Sequence, residues 1–297
     1  MEPIAVIGAG LAGCEAAWQI AKRGGKVILH EMKPEAYSPA HRSPFFAELV
    51  CSNSLKSQSI ENASGVLKEE MALMESLILR VAKEAKVPAG ESLAVDREVF
   101  SKQITQTLEN MKNVEVVRKE VSCIPKGGIT IAATGPLTSE TLSKEIQKMT
   151  GSRHLFFYDA ISPIVTADSI NYQYAFKSSR YGKGGEDYIN CPMDEEVYDR
   201  FVDALNQAER ARVHPFEKRY LFEGCLPVEE MAERGRGTLA FGPLKPVGLT
   251  DPKTGKQPFA VVQLRQEDRF ETLFNLVGFQ TRLKHEEQKR VFRMIPG

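Results

Sequence analysis

Three glycines at the spacing Gly8-x-Gly10-x-x-Gly13, with a carboxylate at Glu31, have the chemistry of a dinucleotide site. Gly8 permits a tight turn. Gly10 lets the backbone approach a pyrophosphate. Gly13 lets a helix pack closely on a strand. A helix opening there turns free N–H groups and the positive end of its dipole toward phosphates, so Gly8, Ala9, Gly10, Leu11, Ala12 and Gly13 form the candidate cradle. Glu31, 21 residues after Gly10, can accept ribose hydroxyls and would repel a 2′-phosphate. For each of the lone cysteines Cys51, Cys191 and Cys225 a small buried apolar residue is the plainer reading, and two of them lie where a thiol could be reached. Cys225 lies on a turn between Gly224 and Leu226-Pro227, and Cys51 ends an apolar run at Ser52-Asn53-Ser54. A reactive thiol needs access and a lowered pKa. Cys14 and Cys123 read instead as structural residues.

The elements around the glycines fit that chemistry. Ile4–Ile7 is a short β-branched apolar run, an alanine-rich helical pattern follows through Ala21, and Lys26–Met32 reads as a second strand, a βαβ unit. Ile129–Ala133 predicts a further strand ending in Ala133-Thr134-Gly135. That strand end resembles the second short motif of two-dinucleotide-domain flavoproteins, which favours FAD over NAD and adds Thr134 and Gly135 to the cofactor-binding set. Residues 33–59 are turn-rich, and a connection of that length predicts a functional or disordered loop. Apolar spacing from Val66 to Val81 predicts one buried-face helix capped by Asn62 or Ser64, and Asp96 caps another carrying Phe100, Ile104 and Leu108. The βα alternation fades after Tyr158. The expected architecture is α/β: a Rossmann-like FAD-binding domain over 1–160 and a second α/β insertion domain over 161–297 that faces substrate.

Composition bounds the rest. Lys+Arg and Asp+Glu both count 39, so non-specific nucleic-acid affinity from overall charge is excluded and RNA binding needs a local basic face. Such clusters occur at Lys177/Arg180/Lys183, Arg210/Arg212/Lys218/Arg219, Arg234/Arg236 and Lys284/Lys289/Arg290/Arg293, several beside aromatics such as Phe176, Tyr181, Phe216, Tyr220 and Phe292. A solvated charged face is the plainer reading of each. Five cysteines without a C-x-x-C pair, and histidines without ligand spacing, give no expectation of a disulfide framework or a metal site. The same lack argues against a flavin-dependent disulfide reductase. No signal peptide or membrane span is expected, which predicts a cytoplasmic protein.

The sequence closely resembles the folate- and FAD-dependent tRNA (uracil-5-)-methyltransferases, the TrmFO family. The matching stretches run through the chain and include Gly8–Ala17, Ala47–Ser54, Ala133–Ser139, Phe222–Pro227, Phe241–Leu249 and Val261–Gln266. The resemblance implies transfer of a methylene from 5,10-methylenetetrahydrofolate to C5 of uridine 54 in the tRNA T-loop. FADH2 is the implied reductant, and NADH or NADPH its nicotinamide source. It implies Cys225 as the nucleophile that activates the uracil and Cys51 in a supporting catalytic role. The same chemistry on a ribosomal RNA uridine, or an inert RNA- or folate-binding fragment, are the alternatives. The family pattern runs on beyond Gly297 with a Gly-rich segment and helix that complete its flavin site. Glu91 and Glu271 stand where the family pattern has glycine, and His285 where it has Trp. A glycine lost near a ligand can block backbone approach.

Overall fold

The computed structural model describes residues 2–152, 161–182, 185–211 and 226–297. In chain order it forms β1 (Ile4–Ile7), α1 (Leu11–Lys22), β2 (Val27–Glu31), β3 (Ser54–Ser57), α2 (Ala63–Leu73), α3 (Leu77–Glu84) and β4 (Lys86–Val87). There follow β5 (Ser92–Val95), α4 (Arg97–Glu109), β6 (Val114–Arg118), β7 (Thr130–Ala132), α5 (Glu140–Thr150), β8 (Ile164–Thr166) and β9 (Phe176–Lys177). The last elements are β10 (Tyr188–Met193), α6 (Glu195–Gln207), α7 (Val228–Glu233), α8 (Thr238–Phe241), β11 (Ala260–Gln266), β12 (Leu273–Leu276) and α9 (His285–Phe292). The chain divides into two compact units. One comprises 1–50, 58–86 and 95–158; the other comprises 51–57, 87–94 and 159–297. The short segments 51–57 and 87–94 thus group with the second unit.

The first unit is built on a parallel sheet ordered β6-β2-β1-β7. Ile4 pairs with Val27, Val27 with Val114, and Ala5 with Thr130. Val6, Val27 and Leu29 are buried, and burial alternates along β2. α1 buries Gly13, Cys14, Ala17 and Ala21, small side chains that admit the helix close to the sheet. Asp96 caps α4 by accepting from the Val99 N–H at 3.0 Å.

The single helix expected over 66–81 is two. The chain breaks at Glu75, whose φ is +55°. Ser76 then accepts from the Leu79 N–H and caps α3, while its hydroxyl donates to Glu15 Oε2 at 2.7 Å. α3 buries Leu77, Ile78, Leu79, Val81 and Ala82. α2 buries only Gly65, and Val66, Leu67 and Met74 are exposed. The buried apolar stripe belongs to α3 alone, and most of the apolar side chains of α2 are exposed. Asn62 does occupy the N-cap position of α2.

The second unit carries a five-stranded sheet ordered β8-β12-β11-β10-β9, antiparallel at every described pairing. All seven residues of β11 are buried. The core includes Tyr198, Phe201 and Val202 from α6, together with Ile189, Val262, Leu276 and Phe279. In this unit Ser54 and Ser57 of β3 pair with Ala94 and Ser92 of β5. Among the described residues no helix is long and apolar enough to cross a membrane, and no cluster of His, Cys, Asp or Glu could hold a metal.

Candidate functional site

The glycine positions in the first unit have the geometry their spacing predicts. Gly8 has φ +96°, and a Cβ there would stand 2.8 Å from the Ala133 carbonyl oxygen. At Gly13 a Cβ would come within 1.8 Å of the Gly8 carbonyl oxygen, so only glycine lets α1 start against the end of β1. Gly10 differs: nothing lies within 4 Å of its hypothetical Cβ. It is the N-cap of α1, and no side chain caps the helix there. The first turn of α1, from Leu11 and Ala12 onward, thus begins with no side-chain cap on its N–H groups, the arrangement that takes a phosphate.

Glu31 closes the cradle from the end of β2. It is buried, with one carboxylate oxygen accepting from the Ala9 N–H and the other from the Lys33 N–H, each at 3.0 Å. A carboxylate offers about four acceptor positions. Two backbone bonds fix its plane and leave capacity for a hydroxyl pair. At the neighbouring strand end, Ala133 donates its N–H to Ile7 O, and Gly135 turns the chain at φ +67°. The Thr134 and Thr138 hydroxyls lie 2.6 Å apart, and Thr138 donates to Gly135 O at 2.8 Å. The first unit therefore gathers Gly8, Ala9, Gly10, Leu11, Ala12, Gly13, Glu31, Thr134 and Gly135 at the ends of β1, β2 and β7. These residues fit a dinucleotide.

The long loop after β2 is held by a network that the sequence did not disclose. Lys33, 4% exposed, donates to Phe45 O at 2.6 Å and pairs with Glu48 at 3.1 Å. Glu48 also accepts from the Arg42 and Ser43 N–H groups. The Ala47 N–H donates to Ala9 O at 2.8 Å, tying the loop to the glycine turn itself. The Arg118 guanidinium lies 4.1 Å from the Phe46 ring centre and donates to Lys33 O and Pro44 O. Burial, then Lys33, push the His41 pKa down from its usual value. No local pattern announces these contacts, because each joins residues whose partner lies on another element or across the loop.

Cys225 lies outside the described residues. Cys51 is half-buried at the start of β3's segment in the second unit. The residues after it are firmly held: Arg265 reaches Ser52 Oγ and Asn53 Oδ1, and Asn53 is fully buried. Cys14 is buried as expected, its thiol pushed up by burial and then by Glu31, and its Sγ donates to Ala9 O. Cys191 is likewise buried in β10, its pKa raised to about 12 by burial. Cys123, expected to be structural, is exposed.

Lys183, Arg212, Phe216, Lys218, Arg219 and Tyr220 lie outside the described residues, and among the described ones several basic residues of these clusters are matched by acids. Arg236 pairs with Asp199 at 3.0 Å and Asp203 at 2.6 Å, Arg210 with Glu233 at 2.5 Å, and Arg290 with Glu287 at 2.6 Å. Lys284 pairs with Glu209, and Lys177 with Glu271 at 3.3 Å. Of the described aromatics beside them, Phe176 is buried and Phe292 packs on Phe279, while Tyr181 is exposed. Among the three departures, Glu271 has φ +56°, the left-handed backbone that a glycine would occupy without strain. Glu91 and His285 are exposed, and Glu91 follows a glycine with φ +56°.

The family model "Glucose inhibited division protein A" (GIDA) matches residues 3–297. The methylenetetrahydrofolate--tRNA-(uracil-5-)-methyltransferase TrmFO of Desulforamulus reducens is 60% identical over 294 residues, which cover 99% of this chain and 67% of that protein. TrmFO of Geobacter sulfurreducens is 60% identical over 295 residues, covering 99% and 68%. A crystal structure of Aquifex aeolicus GidA superposes with a TM-score of 0.67 at 14% identity, over 99% of this chain and 53% of that one. The chain thus spans about two thirds of the length of these curated relatives and about half of the solved one.

Proposed function

Because the chain belongs to the GIDA family, in its TrmFO branch, we propose that it carries out reductive methylation of C5 of uridine 54 in the tRNA T-loop. The carbon donor is 5,10-methylenetetrahydrofolate. The observation that carries this reading is the cradle of the first unit: an uncapped α1 N-terminus behind Gly10, with Glu31 locked beside it by two backbone N–H groups. Gly8 through Gly13 would hold the pyrophosphate of FAD, Glu31 would take a ribose hydroxyl pair, and Thr134-Gly135 would line the neighbouring strand end. Reduced FAD, when bound, supplies the hydride equivalent that turns a transferred methylene into a methyl, with NADH or NADPH as the ultimate reductant.

The chain's own residues prepare the uracil. C5 of uracil is a weak nucleophile until a thiolate adds at C6 and places enolate density on C5. Cys225 is that thiolate: C5 takes the methylene, loss of the C5 proton expels tetrahydrofolate and leaves an exocyclic methylene, and Cys225 departs from C6 as that methylene takes up hydride. Cys51 supports the step. This assigns the chain to a soluble, cytoplasmic setting with tRNA, folate and a nicotinamide nucleotide as its partners.

The test is methyl transfer by the purified chain with FAD, methylenetetrahydrofolate and NADH or NADPH. A tRNA transcript and a ribosomal RNA fragment are offered in parallel, and 5-methyluridine is located by nucleoside mass spectrometry. Methylation of the tRNA at position 54 is expected, with Cys225→Ala inactive but still holding flavin. Full activity in Cys225→Ala overturns the nucleophile assignment. Methylation confined to the ribosomal fragment, or to neither RNA, overturns the substrate.

A further inference from the structure

We propose that Arg265 is the positioning residue for Cys51, a role that rests on the catalytic reading of Cys51 given above. Arg265 sits on β11 and is 6% exposed. Its Nε donates to Asn53 Oδ1 at 2.8 Å and its Nη2 to Ser52 Oγ at 2.7 Å, with Asn275 Oδ1 at 3.3 Å from the same nitrogen. Asn53 is 0% exposed, and its Nδ2 donates to the Gln266 carbonyl at 2.8 Å. One guanidinium and the carbonyl that follows it on β11 therefore grip both residues that come after Cys51.

The grip has a physical consequence. Consecutive Cα atoms are about 3.8 Å apart, so fixing Ser52 and Asn53 restricts Cys51 to the torsions of a single link. An arginine offers its donors in a rigid planar fork, which a lysine ammonium cannot copy. Burying a guanidinium is costly, and an apolar residue would fill β11 as well as its neighbours Val261 and Val262 do. The polar strand position is explained by the geometry it imposes on 52–53. A residue that only aligns a reacting group changes turnover and leaves ground-state binding alone.

Arg265→Lys and Ser52→Ala test this in the full chain, with thermal unfolding to confirm that each folds. The first readout is alkylation of Cys51 by iodoacetamide, followed by peptide mass spectrometry, with exposed Cys123 as the internal control. Alkylation of Cys51 should quicken about tenfold in Arg265→Lys, the factor expected if one lost charged hydrogen bond eases local opening by about 1.4 kcal/mol, and less in Ser52→Ala. Cys123 should react at the parental rate in both. The second readout is methyl transfer: kcat should fall with KM for tRNA and folate unchanged, and lysine should not rescue. Unchanged Cys51 alkylation in both folded variants overturns the proposal, as does a loss confined to KM. If Arg265→Lys fails to fold, Ser52→Ala decides alone. Parental methyl transfer in Cys51→Ala refutes the catalytic reading of Cys51 itself, whereas the alkylation result still reports whether Arg265 holds it.

Discussion

In the first unit the site is shaped by missing atoms: a Cβ at Gly13 would stand 1.8 Å from Gly8 O, and Gly10 leaves open space over a helix end. In the second unit the held segment is shaped by added atoms, with Arg265 and Asn53 meeting across 212 residues of sequence. The first kind of site depends on close approach and is intolerant of any side chain. The second depends on hydrogen-bond geometry and is intolerant of the wrong donor. The two regions should therefore fail differently when altered.

The largest effect is expected at Gly13. Gly13→Ala forces a methyl into the Gly8 carbonyl, and overpacking of this kind costs about 3 kcal/mol. Denaturant unfolding should show that loss, and a change below about 1 kcal/mol would mean that α1 can shift away from β1. A middle-sized effect concerns the buried thiols. The Cys191 pKa is raised from 9.0 to about 12 by burial alone, whereas Cys14 is raised by burial and by Glu31. In the unfolded chain the Cys191 thiol ionises above 9.0, and in the folded protein it stays neutral until about 12. Its contribution to stability is full below the unfolded value and is lost as pH rises between the two. From pH 8 to pH 10 the parental chain should lose about 1.4 kcal/mol more than Cys191→Ala. Parallel losses would show that water reaches the thiol. The smallest effect is at Glu271, whose φ of +56° costs a side chain but not a glycine. Glu271→Gly should stabilise by about 0.5 to 1 kcal/mol despite the added freedom of the unfolded glycine. A destabilised variant would mean that the Lys177–Glu271 pair outweighs the strain.

These differences also explain what was legible in the sequence. The glycine cradle, β1, α1, β2 and the Asp96 cap were readable because each is a local rule: a spacing, a period, a capping position. Glu31 was readable by its offset, yet its bonds to the Ala9 and Lys33 N–H groups were not. The break at Glu75 leaves no mark in the sequence, because apolar spacing continues across it while the backbone does not. Lys33–Glu48 and Arg265–Asn53 were invisible because a polar side chain in a sequence carries no mark of a partner far along the chain. Cys123 was misjudged for a related reason: a cysteine's burial is set by the neighbours that the fold supplies.

A flavin pyrophosphate seated over Gly10 should be lost when that position gains a methyl, and a FAD titration of the chain and of Gly10→Ala measures this. Visible absorbance after desalting should show flavin retained by the parental chain. Gly10→Ala should bind at least about tenfold more weakly, with a stability change of only a few tenths of a kcal/mol, since its methyl meets no protein atom. No retained flavin in the parental chain, or equal retention in both, would mean that no pyrophosphate sits over Gly10.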